Sequence, residues 1–246
     1  MARTLEFRIF RGDAKAGTEQ TYKVESYPGM VVLDAIHVIQ QEQDGSLACR
    51  WNCKAAKCGS CSAEINGKPG LLCKTRVDEF GDGEVIHVAP LKTFPIIKDL
   101  VTDVSWNFEM SKTIAPLTLS DADAAKPLRM QQIDVDRMQE FRKCIECFLC
   151  QDVCHVLRDN GRKDIFYGPR QMIKLAGLSM HPYDKAERMA FAKDKAGVGA
   201  CNITKCCTEV CPEHIHITDN GIIPLKERVA DMFFDPIRKL FRPKRK

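Results

Sequence analysis

An α+β chain of two domains, the first built on strands and the second on helices, is what this sequence predicts. Three observations carry the prediction. Near the N-terminus apolar and polar residues alternate, as on a half-buried strand. From Met130 onward the apolar residues recur at helical spacing. The 13 cysteines fall in tight groups far apart in the chain, each needing its own loop. A length of 246 residues leaves room for one large or two small domains. The separated groups favour two, at residues 1–105 and 106–246.

Residues 4–10 set Leu5, Phe7 and Ile9 on one face and Glu6 and Arg8 on the other, so they predict a strand. A polar turn from Gly12 to Gly17 leads to a second strand over Thr21–Tyr27, which Pro28-Gly29 ends. Val32, Ile36 and Ile39, with Leu33 beside them, predict a helix up to Glu42. Two strands and a helix suit a β-grasp plan. Cys53, Cys58, Cys61 and Cys73 follow, one cysteine distant and three close, which is the plant-type [2Fe–2S] spacing. Gly59 lies among these ligands, where the backbone must turn tightly. Cys49 is a spare, expected to be a small buried residue. Asn66-Gly67 predicts a hairpin turn, and Glu84–Val88 the last strand of this domain.

Pro90–Lys126 is a connection in which Phe94–Val104 has helical spacing, with Trp106 and Phe108 expected at the domain junction. Thr113–Pro127, rich in Pro, Ala and Asp, suits a surface linker. Ile133, Val135, Met138 and Phe141 form a helical pattern leading into Cys144. Further helices are expected from Gly168-Pro169 through Leu175 and over Met180–Ala192. His37 and His87, in predicted helix and strand, are expected to be packing residues.

The second half holds two more cysteine runs. Cys144, Cys147, Cys150 and Cys154 follow the bacterial ferredoxin spacing, whose fourth cysteine serves the other cluster of a two-cluster protein. Cys201, Cys207 and Cys211-Pro212 repeat it with Thr204 in place of the second cysteine. Exchange of the fourth ligands gives Cys144, Cys147, Cys150 and Cys211 to a [4Fe–4S] cluster. It leaves Cys154, Cys201 and Cys207, with Thr204 at the corner. A threonine hydroxyl is hard and protonated at neutral pH, a poor iron ligand, so three thiolates predict a [3Fe–4S] cluster. Cys206 is a second candidate for that corner, one position out of register. Structural zinc is the competing use of Cys-x-x-Cys pairs, but zinc sites are not built from interlocked runs with exchanged ligands. The fold expected is therefore an N-terminal β-grasp plant-type ferredoxin domain, then an all-α bacterial-ferredoxin-like domain.

Composition narrows the function. Tight cysteine spacings favour metal over disulfides and a reducing compartment. The formal charge of +4, with basic residues scattered, gives no case for nucleic acid. No signal or transit peptide is expected, and no apolar run approaches a membrane span. The tail mixes Phe233, Phe234, Ile237, Leu240 and Phe241 with Arg238, Lys239, Arg242 and Lys244, which suits either an anionic membrane surface or a frayed end. Neither a nucleotide loop nor a nucleophile–base motif is present, so no catalytic residue is assigned. What remains is a chain of one-electron stations, able to divide a two-electron donor such as a flavin into single steps. With one thiolate fewer, the third cluster should be the easier to reduce, and His155 and His214 beside ligands should raise potentials further.

With these motifs in place, the whole chain resembles the iron–sulfur subunit of succinate dehydrogenase and fumarate reductase, the complex II family. Residues 50–76, Phe94-Pro95-Ile96, Asp99-Leu100-Val101, Cys144–Cys154 and Cys201–Pro212 carry the resemblance. It implies a flavoprotein partner with covalent FAD, membrane-anchor subunits, and electrons relayed through [2Fe–2S], [4Fe–4S] and [3Fe–4S] clusters to a quinone at the anchor interface. It also implies a place in the tricarboxylic acid cycle, on the cytoplasmic face of the cell membrane. His155 stands where many members have proline, Leu157-Arg158-Asp159 where members that bind ubiquinone often carry tryptophans, and Asn202 where a histidine is frequent. Lys226 approximates a family lysine near menaquinone. His155, Asn202, Thr204 and Lys226 are thus the candidates for the quinone vicinity. The alternatives are a soluble multi-cluster ferredoxin, or the iron–sulfur subunit of another flavin-dependent dehydrogenase.

Overall fold

A computed structural model describes residues 3–236. The Ile237–Lys246 part of the basic, apolar tail lies outside the described residues; Phe234, just before it, is 61% exposed. The chain forms two compact units. One runs up to Ser105 and takes in Ile145–Val153 and Val210–Glu213; the other holds Trp106–Cys144, Cys154–Glu209 and the chain from His214 on.

The first unit is built on a five-stranded sheet and a helix of eleven residues. Strands β1 (Thr4–Gly12) and β2 (Gly17–Glu25) form a hairpin paired from Thr4↔Glu25 to Gly12↔Gly17. The pairing runs to the turn itself, so β2 starts and ends earlier than the sequence pattern suggests. Leu5, Phe7 and Ile9 are all buried, as their alternation requires. Helix α1 (Val32–Glu42) buries Val32, Leu33, Ala35, Ile36 and Ile39. Asp34 in its first turn accepts a hydrogen bond from the Val31 N–H at 3.2 Å, satisfying a free donor at the positive helix end. β3 (Ser62–Ile65) and β4 (Lys68–Leu71) follow, then β5 (Ile86–Ala89). The order is β2-β1-β5-β3-β4, with β1 and β5 parallel and the other pairs antiparallel, the β-grasp arrangement.

Phe94–Val104 is not a helix. It forms the short hairpin of β6 (Ile96–Lys98) and β7 (Val101–Thr102). The reason is Asp99, left-handed at φ 50 and only 2% exposed. Its carboxylate accepts from the N–H groups of Gly12 at 2.9 Å and Ala48 at 2.8 Å and pairs with Arg11 Nε at 3.0 Å. A buried carboxylate with these three partners outweighs the helical spacing of its neighbours. The helix begins afterwards, as α2 (Ser105–Thr113).

The second unit is helical, with short α3 (Asp121–Ala124) and then α4 (Gln132–Met138), which tightens into a 3₁₀ turn over Gln139–Lys143. The next helices are α5 (Leu149–Asp152), whose residues cluster with the first unit, α6 (His155–Arg158), α7 (Pro169–Ser179), α8 (Arg188–Asp194), α9 (Cys206–Glu209) and α10 (Ile223–Phe233). The core is Phe141, Met172, Ile173, Leu175, Ala176, Ile222, Leu225 and Val229. Of the stretch Met180–Ala192, only the part from Arg188 is helical. The linker is pinned at its start: Arg188, 5% exposed, donates to the carbonyls of Ala115 at 2.7 Å and Pro116 at 2.8 Å while paired with Asp184 at 2.7 Å.

Candidate metal centres

The first centre is made by a loop and a hairpin. Cys53 and Cys58 lie on the loop after α1, Cys61 just before β3 and Cys73 just after β4. Asn66 (φ 46) and Gly67 (φ 75) turn that hairpin, and the Leu72 N–H donates to the Cys61 carbonyl at 3.0 Å, which brings Cys73 beside Cys61. In the loop, Lys54 and Ala56 are both left-handed, at φ 53 and 54, and the N–H groups of Ala55 and Lys57 each donate to Cys53 Sγ at 3.3 Å.

Left-handed pairs recur in both later runs. Glu146 (φ 54) and Phe148 (φ 61) flank Cys147, and Ile203 (φ 60) and Lys205 (φ 65) flank Thr204. In each case a short helix starts at the next residue, Leu149 in one run and Cys206 in the other. The two runs are therefore the same backbone motif. Thr204 stands where Cys147 stands, and Cys206 where the buried Leu149 stands. Of the nine non-glycine residues with positive φ among the described residues, six lie in these three loops. Each costs about 1–2 kcal/mol. Such backbone strain persists where it serves a site, here by turning successive N–H groups into a concave anion receptor of the kind that holds iron–sulfur clusters.

The thiols behave accordingly. Burial pushes Cys61 up to about 12, with Cys73 and Cys49 beside it adding to the rise. Burial also raises Cys207 to about 11 and raises Cys154; both interact with Cys201 and Cys206. Cys58 is held down near 6, because hydrogen bonds from Ser60 and Cys53 outweigh the effect of its burial. A bound cluster would hold such thiols ionised, because coordination to iron deprotonates them. Among the described residues no three His, Cys, Asp or Glu side chains converge to hold a single metal ion. A zinc ion needs four donors about one point, whereas a cluster takes one thiolate per iron around a larger body. Soft thiolates in short loops are the donors that cluster iron takes.

Around the second run, Cys150 is buried on α5 and Cys154 precedes α6. Cys144 ends the 3₁₀ turn. Asp152, fully buried between those two cysteines, accepts from the Thr93 N–H at 2.9 Å, and Thr93 Oγ1 donates to the Asp152 carbonyl at 3.2 Å. Lys74 Nζ donates to the Pro212 carbonyl at 3.0 Å, and Lys57 pairs with Glu213 at 3.3 Å, so the segment carrying Cys211 is tied to the first centre's hairpin and loop. In the third run Gly197 (φ 66), where a Cβ would collide with the Ile165 carbonyl, turns the chain ahead of Cys201. Cys207 Sγ lies 3.3 Å from Thr218 Oγ1. Thr93 and Thr218 carry no signal in cysteine spacing; only folding brings them to these runs.

The four candidate quinone residues all belong to the second unit. Lys226 is tied to the third run, its Nζ donating to the Cys201 carbonyl at 2.6 Å. Thr204 Oγ1 donates to Asn202 Oδ1 at 3.4 Å and lies 2.9 Å from Cys206 Sγ. His155, at the start of α6, pairs with Asp159 at 2.7 Å. Cys49 is half-buried, its thiol raised to about 12 by desolvation. His37 packs edge-on to Trp51 at 4.8 Å, and His87 pairs with Glu19 at 3.1 Å. No described helix is long and apolar enough to cross a membrane.

Comparison with known proteins agrees with this geometry. Residues 6–109 match the 2Fe-2S iron-sulfur cluster binding domain family, and residues 140–215 the 4Fe-4S dicluster domain family. The chain is 33% identical over 210 residues to the fumarate reductase iron-sulfur subunit of Haemophilus influenzae, covering 79% of this chain and 80% of that one. It is 28% identical over 243 residues to the corresponding subunit of Wolinella succinogenes, covering 94% and 96%. A chain of the Mycobacterium smegmatis Sdh1 complex in the apo form superposes with a TM-score of 0.93 at 56% identity, covering 96% of this chain and all of that one.

Proposed function

The chain belongs to the iron–sulfur subunits of the succinate dehydrogenase and fumarate reductase family, and from that premise we propose how it divides the work of electron transfer. It is an electron-transfer subunit of a succinate:quinone oxidoreductase complex, with clusters of the [2Fe–2S] and [4Fe–4S] kinds. Our reading adds a third, [3Fe–4S] cluster. Cys53, Cys58, Cys61 and Cys73 hold the first; Cys144, Cys147, Cys150 and Cys211 the second; Cys154, Cys201 and Cys207 the third. The domains are 1–105 for the first cluster and 106–246 for the other two.

The observation that carries this reading is the repeat of left-handed residues around Cys147 and around Thr204. The fold retains a four-iron loop at the third run while the ligand at its corner is a hydroxyl, which soft iron–sulfur chemistry does not favour. When bound, the clusters supply one-electron stations whose potentials follow cluster type, charge, hydrogen bonds to sulfur and exposure. The chain's own residues set those terms. Ala55 and Lys57 N–H groups donate to Cys53 Sγ, the Thr218 hydroxyl faces Cys207 Sγ, and the Lys226 ammonium sits on the carbonyl of Cys201. The last arrangement places positive charge at the third run, which favours its reduction and so delivery to a quinone.

On this reading electrons pass between the FAD of a flavoprotein partner and a quinone held near His155, Asn202, Thr204 and Lys226, against membrane-anchor subunits on the cytoplasmic face. Purification from membranes tests it. The chain should copurify with a flavoprotein and the complex should reduce quinone with succinate. A chain isolated alone and soluble, or a complex without succinate-dependent quinone reduction, would reject it.

A further inference from the structure

The third run contains a thiol that the ligand assignment leaves unused. Cys206 opens α9 and is half-buried, with its Sγ 2.9 Å from Thr204 Oγ1. The equivalent residue in the second run is Leu149, a buried apolar side chain with no chemistry to offer.

The position of the sulfur is informative. Thr204 Oγ1 is a γ atom on the residue that corresponds to Cys147, so it marks where the missing thiolate would branch from the chain. Cys206 Sγ lies one hydrogen-bond length from that atom. Sulfur is the better ligand for cluster iron, and Thr204 offers only a weak hydroxyl contact that can be given up.

We propose that Cys206 is a reserve ligand that lets the third cluster take up a fourth iron when it is reduced and ferrous iron is available. This rests on the three-iron reading above. The step balances. One electron from the relay brings the oxidised three-iron core to its neutral form. One ferrous ion adds to that core, giving a four-iron core of charge 2+ with no further electron. The Cys206 S–H proton passes to solvent as the thiolate bonds the incoming iron. In reverse, loss of one electron to the relay's acceptor releases a ferrous ion and leaves the oxidised three-iron core, and the freed thiolate takes a proton from solvent to become again the thiol beside Thr204. The device would couple this relay to the ferrous iron supply, because a fourth thiolate lowers the potential of the last station.

Spin resonance on the intact, cluster-loaded protein tests this. The protein is reduced with dithionite, incubated anaerobically with ferrous iron, desalted and mildly reoxidised. Wild type should lose most of its three-iron signal, rise from about nine to about ten irons per chain, and recover the signal after ferricyanide. Cys206→Ala and Cys206→Ser should keep the signal throughout, with their [2Fe–2S] signal unchanged as the control for folding. Equal loss in wild type and variants, or no loss in wild type, would overturn the proposal. Should neither variant fold, alkylation of wild type decides: Cys206 must be modified before iron loading and protected after it, and unchanged labelling rejects the idea. A missing three-iron signal in untreated wild type and variants alike would instead defeat the underlying three-iron reading.

Discussion

Gly59 and Cys147 lie backbone against backbone. A Cβ at residue 59 would come within 2.7 Å of Cys147 Cα and 2.8 Å of its amide nitrogen, and Gly59 has φ 68. Each residue sits among the ligands of a different proposed cluster, so the contact brings the first cysteine loop directly onto the second. Loop-to-loop contact of this kind is what a one-electron relay needs, and it explains the glycine without appeal to the turn alone.

Gly59→Ala should therefore damage two clusters together. The left-handed backbone costs about 1–2 kcal/mol for an alanine, and the overlap with Cys147 adds about 1–3 kcal/mol of overpacking. Iron content should fall and both the [2Fe–2S] and [4Fe–4S] signals weaken, with the three-iron signal less affected. Loss confined to the [2Fe–2S] signal would mean that the contact with Cys147 is incidental.

Thr204→Cys restores a thiolate at the position equivalent to Cys147. The variant should hold a four-iron cluster in the third run, lack the three-iron signal and have a lower midpoint there, since the added thiolate brings negative charge. Redox titration checks it. A persistent three-iron signal would show that the corner is not at Thr204.

Lys226→Gln removes a positive charge from the Cys201 carbonyl. A charge interaction near a protein surface is worth about 1–4 kcal/mol at an effective dielectric of 20, and a tenfold shift in a one-electron equilibrium is about 59 mV. The third midpoint should drop by roughly 40–170 mV, while the first two stay in place. A drop shared by all three clusters would point to general destabilisation.

Acid should act through Asp184. Its carboxyl is buried, which alone would raise its pKa, yet hydrogen bonds from Arg188 and the Thr118 N–H hold it below the usual carboxylate value. A depressed folded pKa stabilises the protein above the unfolded value of about 3.9 and loses that contribution as the pH falls towards the folded value. Asp184→Asn should cost about 3 kcal/mol at neutral pH by stranding Arg188. In thermal unfolding, the gap between wild type and variant should hold from pH 7 to about 4 and narrow progressively as the pH falls below that, towards the folded value. A gap independent of pH would show that the charge on Asp184 is not what matters.

Much of the first unit was legible in advance because its signals are local. Alternation at Leu5, Phe7 and Ile9, helical spacing from Val32 to Ile39 and the Asn66-Gly67 turn each depend on neighbours a few residues apart. Cysteine spacing is legible for the same reason, since the loops that carry the cysteines are short. The error at Phe94–Val104 has the opposite cause. Asp99 is held by Gly12 and Ala48, 87 and 51 residues away in the chain, and periodicity within a window cannot register such partners. Gly59 against Cys147 and Thr93 against Asp152 were hidden likewise. The equivalence of Thr204 with Cys147 was legible as spacing, but the matching left-handed pairs that support it are properties of the backbone alone.

The central claim is that three separate sets of sulfur hold iron, the last set one ligand short. Iron and acid-labile sulfide analysis of the anaerobically purified complex, paired with spin resonance in its oxidised state, tests that most directly. Three sets of this kind give about nine irons and about ten sulfides per chain, with a three-iron signal present on oxidation. Zinc in place of iron, or about ten irons with no three-iron signal, would contradict it.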